Sequence, residues 1–214
     1  MEMMSPWIGT VRRVVVATEF EYLLQSADAS WCADRWEKLP ADGNRYEVID
    51  GVLYMSTSPS VFHQWIINRL LGLVGLPLQN SRFGYAFTGP IGVFMPGCDP
   101  IQPDFLIVGN ERVSIIENGR INGVPDLIVE VLSPSHPHLD TTIKRAAYAR
   151  AGVPEYWIVR PASRDIMVYW QPEPEFGDFA QSSLVAADGT LESPTLPITQ
   201  VIAEFFDGSP DTTL

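Results

Sequence analysis

Apolar positions along this chain recur with two alternating rhythms, one near every third or fourth residue and one at every second residue, the signatures of helix and strand. Residues 17–39 carry the helical rhythm in ATEFEYLLQSA and WCADRWEKL, interrupted by Asp28-Ala29-Ser30 and ended by Pro40 and ADGN. RYEVIDGVLYMS, residues 45–56, reads as a hairpin: Val48-Ile49 and Val52-Leu53 flank Asp50-Gly51, a strong two-residue turn. In residues 58–76, Phe62, Trp65, Ile66, Leu70 and Val74 return at helical spacing, and Ser58 or Ser60 is the cap. Two short strands are expected around Gly89-Pro90, and IQPDFLIVG, residues 101–109, is a strand begun by Pro103. Residues 110–124 are a polar connection and 125–133 a further strand. PHLDTTIKRAAYARA, 137–151, is a helix ended by Gly152. EYWIVRP and IMVYWQ are successive strands turned by ASRD, and the Pro-rich, acidic remainder holds one strand near QSSLVAA. Strand runs interrupted by two helices predict an α/β (α+β) fold in which helices flank a central mixed β-sheet, with an N-terminal helical segment and β-hairpin ahead of it.

The strand at 127–132, L-I-V-E-V-L, raises the chemical question. Five of its residues are branched hydrocarbon and the sixth is Glu130. So apolar a strand is buried, and a buried carboxylate needs a partner. Alternate strand residues share a face, so Asp104 goes with Leu106 and Val108, and Glu130 with Asp126, Ile128 and Leu132. If the two strands are neighbours, Asp104 and Glu130 lie on one surface, where a hard cation such as Mg²⁺ could bridge them. Asp140, Lys144 and Tyr148 stand at i, i+4 and i+8 on the following helix, and folding that helix over the sheet brings Lys144 toward Glu130.

Plainer readings stand beside these. Glu130 could form an internal salt bridge with Lys144, Lys144 a solvated helix face, and Asp104 a strand edge. Asp126 fits a solvated strand end, and Glu47 a cross-hairpin pair. His63 fits a structural histidine on an apolar helix. His136 and His138 form an H-x-H pair with no third soft ligand nearby in sequence.

Composition narrows the class. The 214 residues are 46% hydrophobic and 19% charged, a globular balance with room for a core. No apolar run approaches the roughly 20 residues that cross a bilayer, and the N-terminus lacks a secretory pattern. Cys32 and Cys98 are too few for a disulfide framework and fit a reducing, cytoplasmic setting. The net charge of −12 argues against non-specific coating of nucleic acid and weighs against a nuclease, while leaving a local basic groove open.

YEVIDGVLYMSTSPS, His63-Gln64, QPDFLIV, PDLIVEVLSPS and D-x-x-x-K-x-x-x-Y running into AGVPEYWIV together resemble the Uma family of restriction-endonuclease-like proteins, within the PD-(D/E)xK nuclease superfamily. The resemblance covers about residues 45–170 of one restriction-endonuclease-like domain, 1–214, with an N-terminal helical extension over 1–44 and a C-terminal acidic segment over 171–214. It implies an Mg²⁺- or Mn²⁺-dependent endonuclease acting on nucleic acid, with DNA as the expected substrate, in a homodimer away from any membrane. Asp104 and Glu130 would bind the metal with the Val131 backbone carbonyl. The superfamily lysine two residues after the acid is absent, since Leu132 stands there, and the family takes it from the helix as Lys144. Glu47 would complete the catalytic set, and His63, Gln64, Asp140 and Tyr148 would support it. The missing lysine and the acidic surface keep two alternatives in view: a non-catalytic binding or assembly protein, and a metal-dependent hydrolase of a small phosphoester.

Overall fold

The structure is a computed structural model and describes residues 11–14, 23–133 and 136–209. Strand β1 (Val11–Val14) pairs antiparallel with β2 (Leu23–Ser26), and α1 (Ala33–Trp36) is a single turn. This corrects the helix expected over 17–39, whose residues 17–22 lie outside the described ones. Leu23–Ser26 instead pairs with the hairpin edge, Leu23 opposite Ser56, and local bonds from Ser26 and Ser30 to Asp28 favour a loop after it.

The hairpin is as expected. β3 (Arg45–Ile49) and β4 (Val52–Ser56) are joined by Asp50 and Gly51, both at positive φ, 50° and 76°. A Cβ on Gly51 would also collide with the Ala29 carbonyl, so only glycine fits. The next helix runs over 61–80: α2 (Val61–Leu70), a wide π-helical stretch Leu71–Gly75, and α3 (Leu76–Asn80). Ser60 is its cap, accepting from the His63 amide at 3.2 Å.

β5 (Gly84–Thr88), β6 (Val93–Met95), β7 (Cys98–Ile101) and β8 (Phe105–Gly109) follow. The expected strand 101–109 is thus two strands in different sheets, parted at Gln102-Pro103-Asp104, where Pro103 has no N–H to give a ladder. The connection 110–124 contains a 3₁₀ segment, Asn110–Ile115, and the short strands β9 (Ile116–Glu117) and β10 (Arg120–Asn122). β11 (Leu127–Val131) leads through a second π-helical stretch, Leu139–Lys144, into α4 (Arg145–Ala151). Gly152, at φ 83°, ends that helix. β12 (Glu155–Arg160), β13 (Asp165–Glu173) and β14 (Asp178–Val185) complete one sheet, and β15 (Thr190–Glu192), β16 (Thr199–Val201) and α5 (Ala203–Phe206) are the last elements among the described residues.

Among the described residues the strands form an eight-stranded sheet in the order β1-β2-β4-β3-β7-β6-β10-β9, a six-stranded sheet β14-β13-β12-β11-β8-β5, and the pair β15-β16. The six-stranded sheet is the expected mixed one, since β11 runs parallel to β12 and antiparallel to β8. Its strand β11 is buried along its whole length, which explains the near-continuous apolar run. Helix 61–80 and the C-terminal residues Leu196, Ile202, Phe205 and Phe206 cover one face. Helix 139–151 and residues of the eight-stranded sheet, including Ile49, Val93 and Ile101, cover the other. The C-terminal third is therefore core material rather than the single strand and acidic remainder expected.

Candidate active site

Val129 stands opposite Phe105 across the antiparallel β11–β8 pair, so one step outward sets Glu130 opposite Asp104. Both acids are on the face that carries Leu106, Val108 and Ile128, under helix 139–151. Asp104 and Glu130 are only 2% and 1% exposed. Asp104 also clasps the strand pair, because its Oδ2 accepts from the Val131 amide at 2.8 Å.

Helix 139–151 delivers the cation. Lys144 Nζ lies 3.0 Å from Glu130 Oε1, 3.1 Å from Glu47 Oε1 and 3.7 Å from Asp140 Oδ1. One turn on, the Tyr148 hydroxyl donates to the same Glu130 oxygen at 2.6 Å, so the i, i+4 stripe read from the sequence does reach Glu130. The Tyr156 hydroxyl, from β12, donates to the Asp140 carbonyl at 3.1 Å. Glu47 is held from behind by the Gln102 amide, 2.8 Å from its Oε1.

Helix 61–80 contributes His63. The Ser60 cap places it in the first turn, with Nε2 at 3.0 Å from Asp104 Oδ2. Arg45 closes the other side, with Nη2 2.9 Å from Asp104 Oδ1 and 2.5 Å from the Gln102 carbonyl. Gln64 is exposed on the same helical turn and lines the cavity beside Asp104, without reaching the acid cluster itself.

Electrostatics divide the acids. Burial alone would raise the Asp104 carboxyl, but the charges of His63 and Arg45 outweigh it and hold the group well below the usual carboxylate range. Burial raises Glu130 well above that range, and Asp104, Asp140 and Glu47 add to the rise against the pull of Lys144. Asp140 is pushed up to about 6, first by burial. Burial disfavours the Lys144 ammonium, yet Glu130, Glu47 and Asp140 more than compensate, so it stays protonated. His63 is likewise raised, because Asp104 outweighs its burial. Two neighbouring carboxyl groups with opposite shifts make this cluster chemically asymmetric.

A hard divalent ion suits the donor chemistry here. Glu47, Asp104, Glu130 and Asp140 all offer oxygen, four acids gathered around the three cationic side chains Lys144, Arg45 and His63. Among the described residues no three His, Cys, Asp or Glu side chains form a ready metal cage. An ion would therefore draw on Asp104, Glu130, a peptide carbonyl such as that of Val131, and water. It would also have to displace Arg45 or His63, which occupy Asp104 together with the Val131 amide.

Of the other candidates, Asp126 separates from this cluster and His136 does not. Asp126 pairs with Arg112 at 3.1 Å and accepts from the Gly109 amide at 2.7 Å, a clasp at the far end of β8. His136 lines the same chamber as Lys144. Arg45 was not singled out from the sequence. The available signal was its position two residues before Glu47, which in a strand puts both on one face.

A family model for Uma2, described as putative restriction endonuclease, matches residues 28–203. No curated protein matches the chain. Among solved structures, that of a putative nuclease belonging to DUF820 from Anabaena variabilis has a TM-score of 0.68 at 20% identity, over 82% of this chain and 97% of that one. That likeness is one of fold. The family match, by contrast, spans most of the sequence, and on that ground the chain belongs to the Uma2 family of putative restriction endonucleases.

Proposed function

We propose that this chain is a divalent-metal-dependent endonuclease that hydrolyses phosphodiester bonds of nucleic acid, DNA foremost. The observation that carries the reading is the opposition of Asp104 and Glu130 across β8 and β11, with the Lys144 ammonium 3.0 Å from Glu130 beside an open cavity. Membership in a family described as putative restriction endonucleases supports it.

Asp104, Glu130 and the Val131 carbonyl are the groups that would hold Mg²⁺ or Mn²⁺. Such an ion, when bound, acidifies a coordinated water and polarises the scissile phosphate. Lys144, held charged by three carboxylates, orients the attacking water and offsets the negative charge that grows on the phosphoryl oxygens. Tyr148 and Glu47 fix Glu130 and Lys144 in register, and Asp140 supports the lysine from its own helix. His63 and Arg45 keep Asp104 ionised. In the reaction the water oxygen bonds to phosphorus and the P–O3′ bond breaks. The departing oxygen takes a proton, and the product carries a 5′-phosphate.

The test is incubation with plasmid, linear and single-stranded DNA in Mg²⁺ or Mn²⁺. Cleavage is expected in the native chain and lost in Glu130→Gln and Lys144→Ala; cleavage that persists in either variant overturns these assignments. One observation favours a second reading, a non-catalytic binding protein on the same fold: both Asp104 oxygens are already taken by Arg45, His63 and the Val131 amide. Calorimetry with Mn²⁺ separates the two. A nuclease gives a binding heat that disappears in Asp104→Asn, and a binding protein gives none.

A further inference from the structure

Two chambers meet at the Arg45–Asp104 pair. The inner one, about 70 Å³, contains Glu47, Glu130, Asp140 and Lys144. It has room for a few water molecules at roughly 15–30 Å³ each, or for an ion with its waters, and for nothing as large as a nucleoside. The outer one, about 340 Å³, opens on the other side of Arg45 and Asp104. That volume is at the lower end of small-molecule sites, roughly 300–1,000 Å³.

The two chambers differ in chemistry as much as in size. The inner lining gathers the ionic groups Glu47, Glu130, Asp140 and Lys144. The outer walls carry the uncharged amides of Asn44, Gln64 and Gln102 together with the apolar surfaces of Ile67 and Pro90. A nucleobase has the complementary character, with two apolar faces and an edge of donors and acceptors that an amide side chain can match. Among the described residues lining the outer chamber Arg45 is the one cation, and it stands at the boundary. That suits one phosphate there and gives little grip on a run of them. A chain of net charge −12 has no general electrostatic attraction for a duplex backbone. Glu47, Asp104 and Glu130 are 1–2% exposed and Asp140 7%, so a phosphate on the outside of a stacked helix does not reach them without leaving the stack.

We propose that the outer chamber seats one unpaired nucleoside next to the bond to be cut, with Gln64 and Gln102 along the base edge and Arg45 on the phosphate, so that the substrate class is single-stranded or frayed nucleic acid rather than intact duplex. This rests on the phosphodiesterase reading above and adds the form of the substrate. The base is read by side chains outside the acid cluster, and the cluster handles only phosphate and water. DNA and RNA present the same base faces, and the chamber accepts either when unpaired.

The test uses the full chain with Mn²⁺. Initial cleavage rates are compared on a short labelled DNA strand, the RNA strand of the same sequence, the blunt duplex and bis(p-nitrophenyl) phosphate, which has no base. Ser58 is exposed and lines the outer chamber but not the inner one, so Ser58→Trp places bulk at the outer rim. The expected result is faster cutting of an unpaired strand than of the duplex. Strand cleavage should also fall roughly tenfold or more in Ser58→Trp, with hydrolysis of the baseless diester unchanged. Duplex cut as fast as single strand, or equal losses on the baseless diester, overturns the proposal while leaving the phosphodiesterase reading intact. If no diester is hydrolysed, that reading fails. Anisotropy of the labelled strand and duplex then decides the chamber's role alone: tighter strand binding, weakened by Ser58→Trp, supports it, and indifference overturns it.

Discussion

Two glutamates are buried in adjacent parallel strands, and their surroundings could hardly differ more. Glu155 in β12, fully buried, faces the side that carries Trp157 and the C-terminal residues. Its oxygens are taken by uncharged donors: the Trp157 indole at 2.5 Å, the Ser193 hydroxyl at 2.7 Å, the Thr195 amide at 3.1 Å and the Thr195 hydroxyl. This carboxylate is solvated by the protein and ties residues 193–195 to the sheet. Glu130 in β11 faces the opposite side, where Lys144 and Tyr148 share one of its oxygens and Glu47, Asp104 and Asp140 crowd it with like charge beside a cavity. Burial of an acid therefore does not mark a reactive site. A reactive site needs imbalance, meaning charge that is not fully met and space in which to meet it.

That contrast can be broken by experiment. The largest effect is expected for Lys144→Ala, which strands Glu130, Glu47 and Asp140 without their shared cation. Breaking a buried ion pair from one side costs about 3–5 kcal/mol, readable by urea denaturation, and cleavage should vanish with it. Glu130→Gln keeps the shape, so the fold should survive by circular dichroism while cleavage drops by about 10²–10³-fold. Glu155→Gln should do the reverse. Its loss of charge-assisted bonds costs about 1–3 kcal/mol in thermal or urea unfolding, and the specific activity of the folded fraction should match the native chain. Equal losses of activity in both Gln variants would erase the distinction.

The smallest effect is on the pH profile of stability. Asp140 keeps its proton in the folded chain up to about 6, whereas its ordinary value is 3.8. Between those values the native state binds more protons than the unfolded one, so this contribution is fully present below 3.8 and is lost as pH rises through about 6. The rise at Glu130 acts with the same sign. Thermal midpoints measured across that window should show the decline, a shallower one in Asp140→Asn, and, on the metal-dependent reading proposed above, a flatter one with Mg²⁺.

Much of the site was legible because strand and helix periodicities are local. Leu127–Val131 had to be a buried strand, Glu130 had to share a face with Ile128, and Asp140, Lys144 and Tyr148 had to form one helical stripe. The Asp50-Gly51 turn and the Gly152 helix end follow from the same short-range chemistry. What local pattern cannot carry is which strands become neighbours. The pairing of β8 with β11, which turns Asp104 toward Glu130, is long-range. So is the capture of Leu23–Ser26 by the hairpin edge, which overrode an amphipathic pattern in a segment too short to hold a helix alone. Arg45 acquired its role only when the eight-stranded sheet brought β3 against the start of β8, and Glu155 found its Ser193 and Thr195 donors only when the C-terminal segment folded back onto β12. Side-chain rhythm along a chain reports what each residue prefers to touch. The acid pair, its cations and the chambers on either side of Arg45 come from segments far apart in sequence, and the free energy that assembles them belongs to the packed whole.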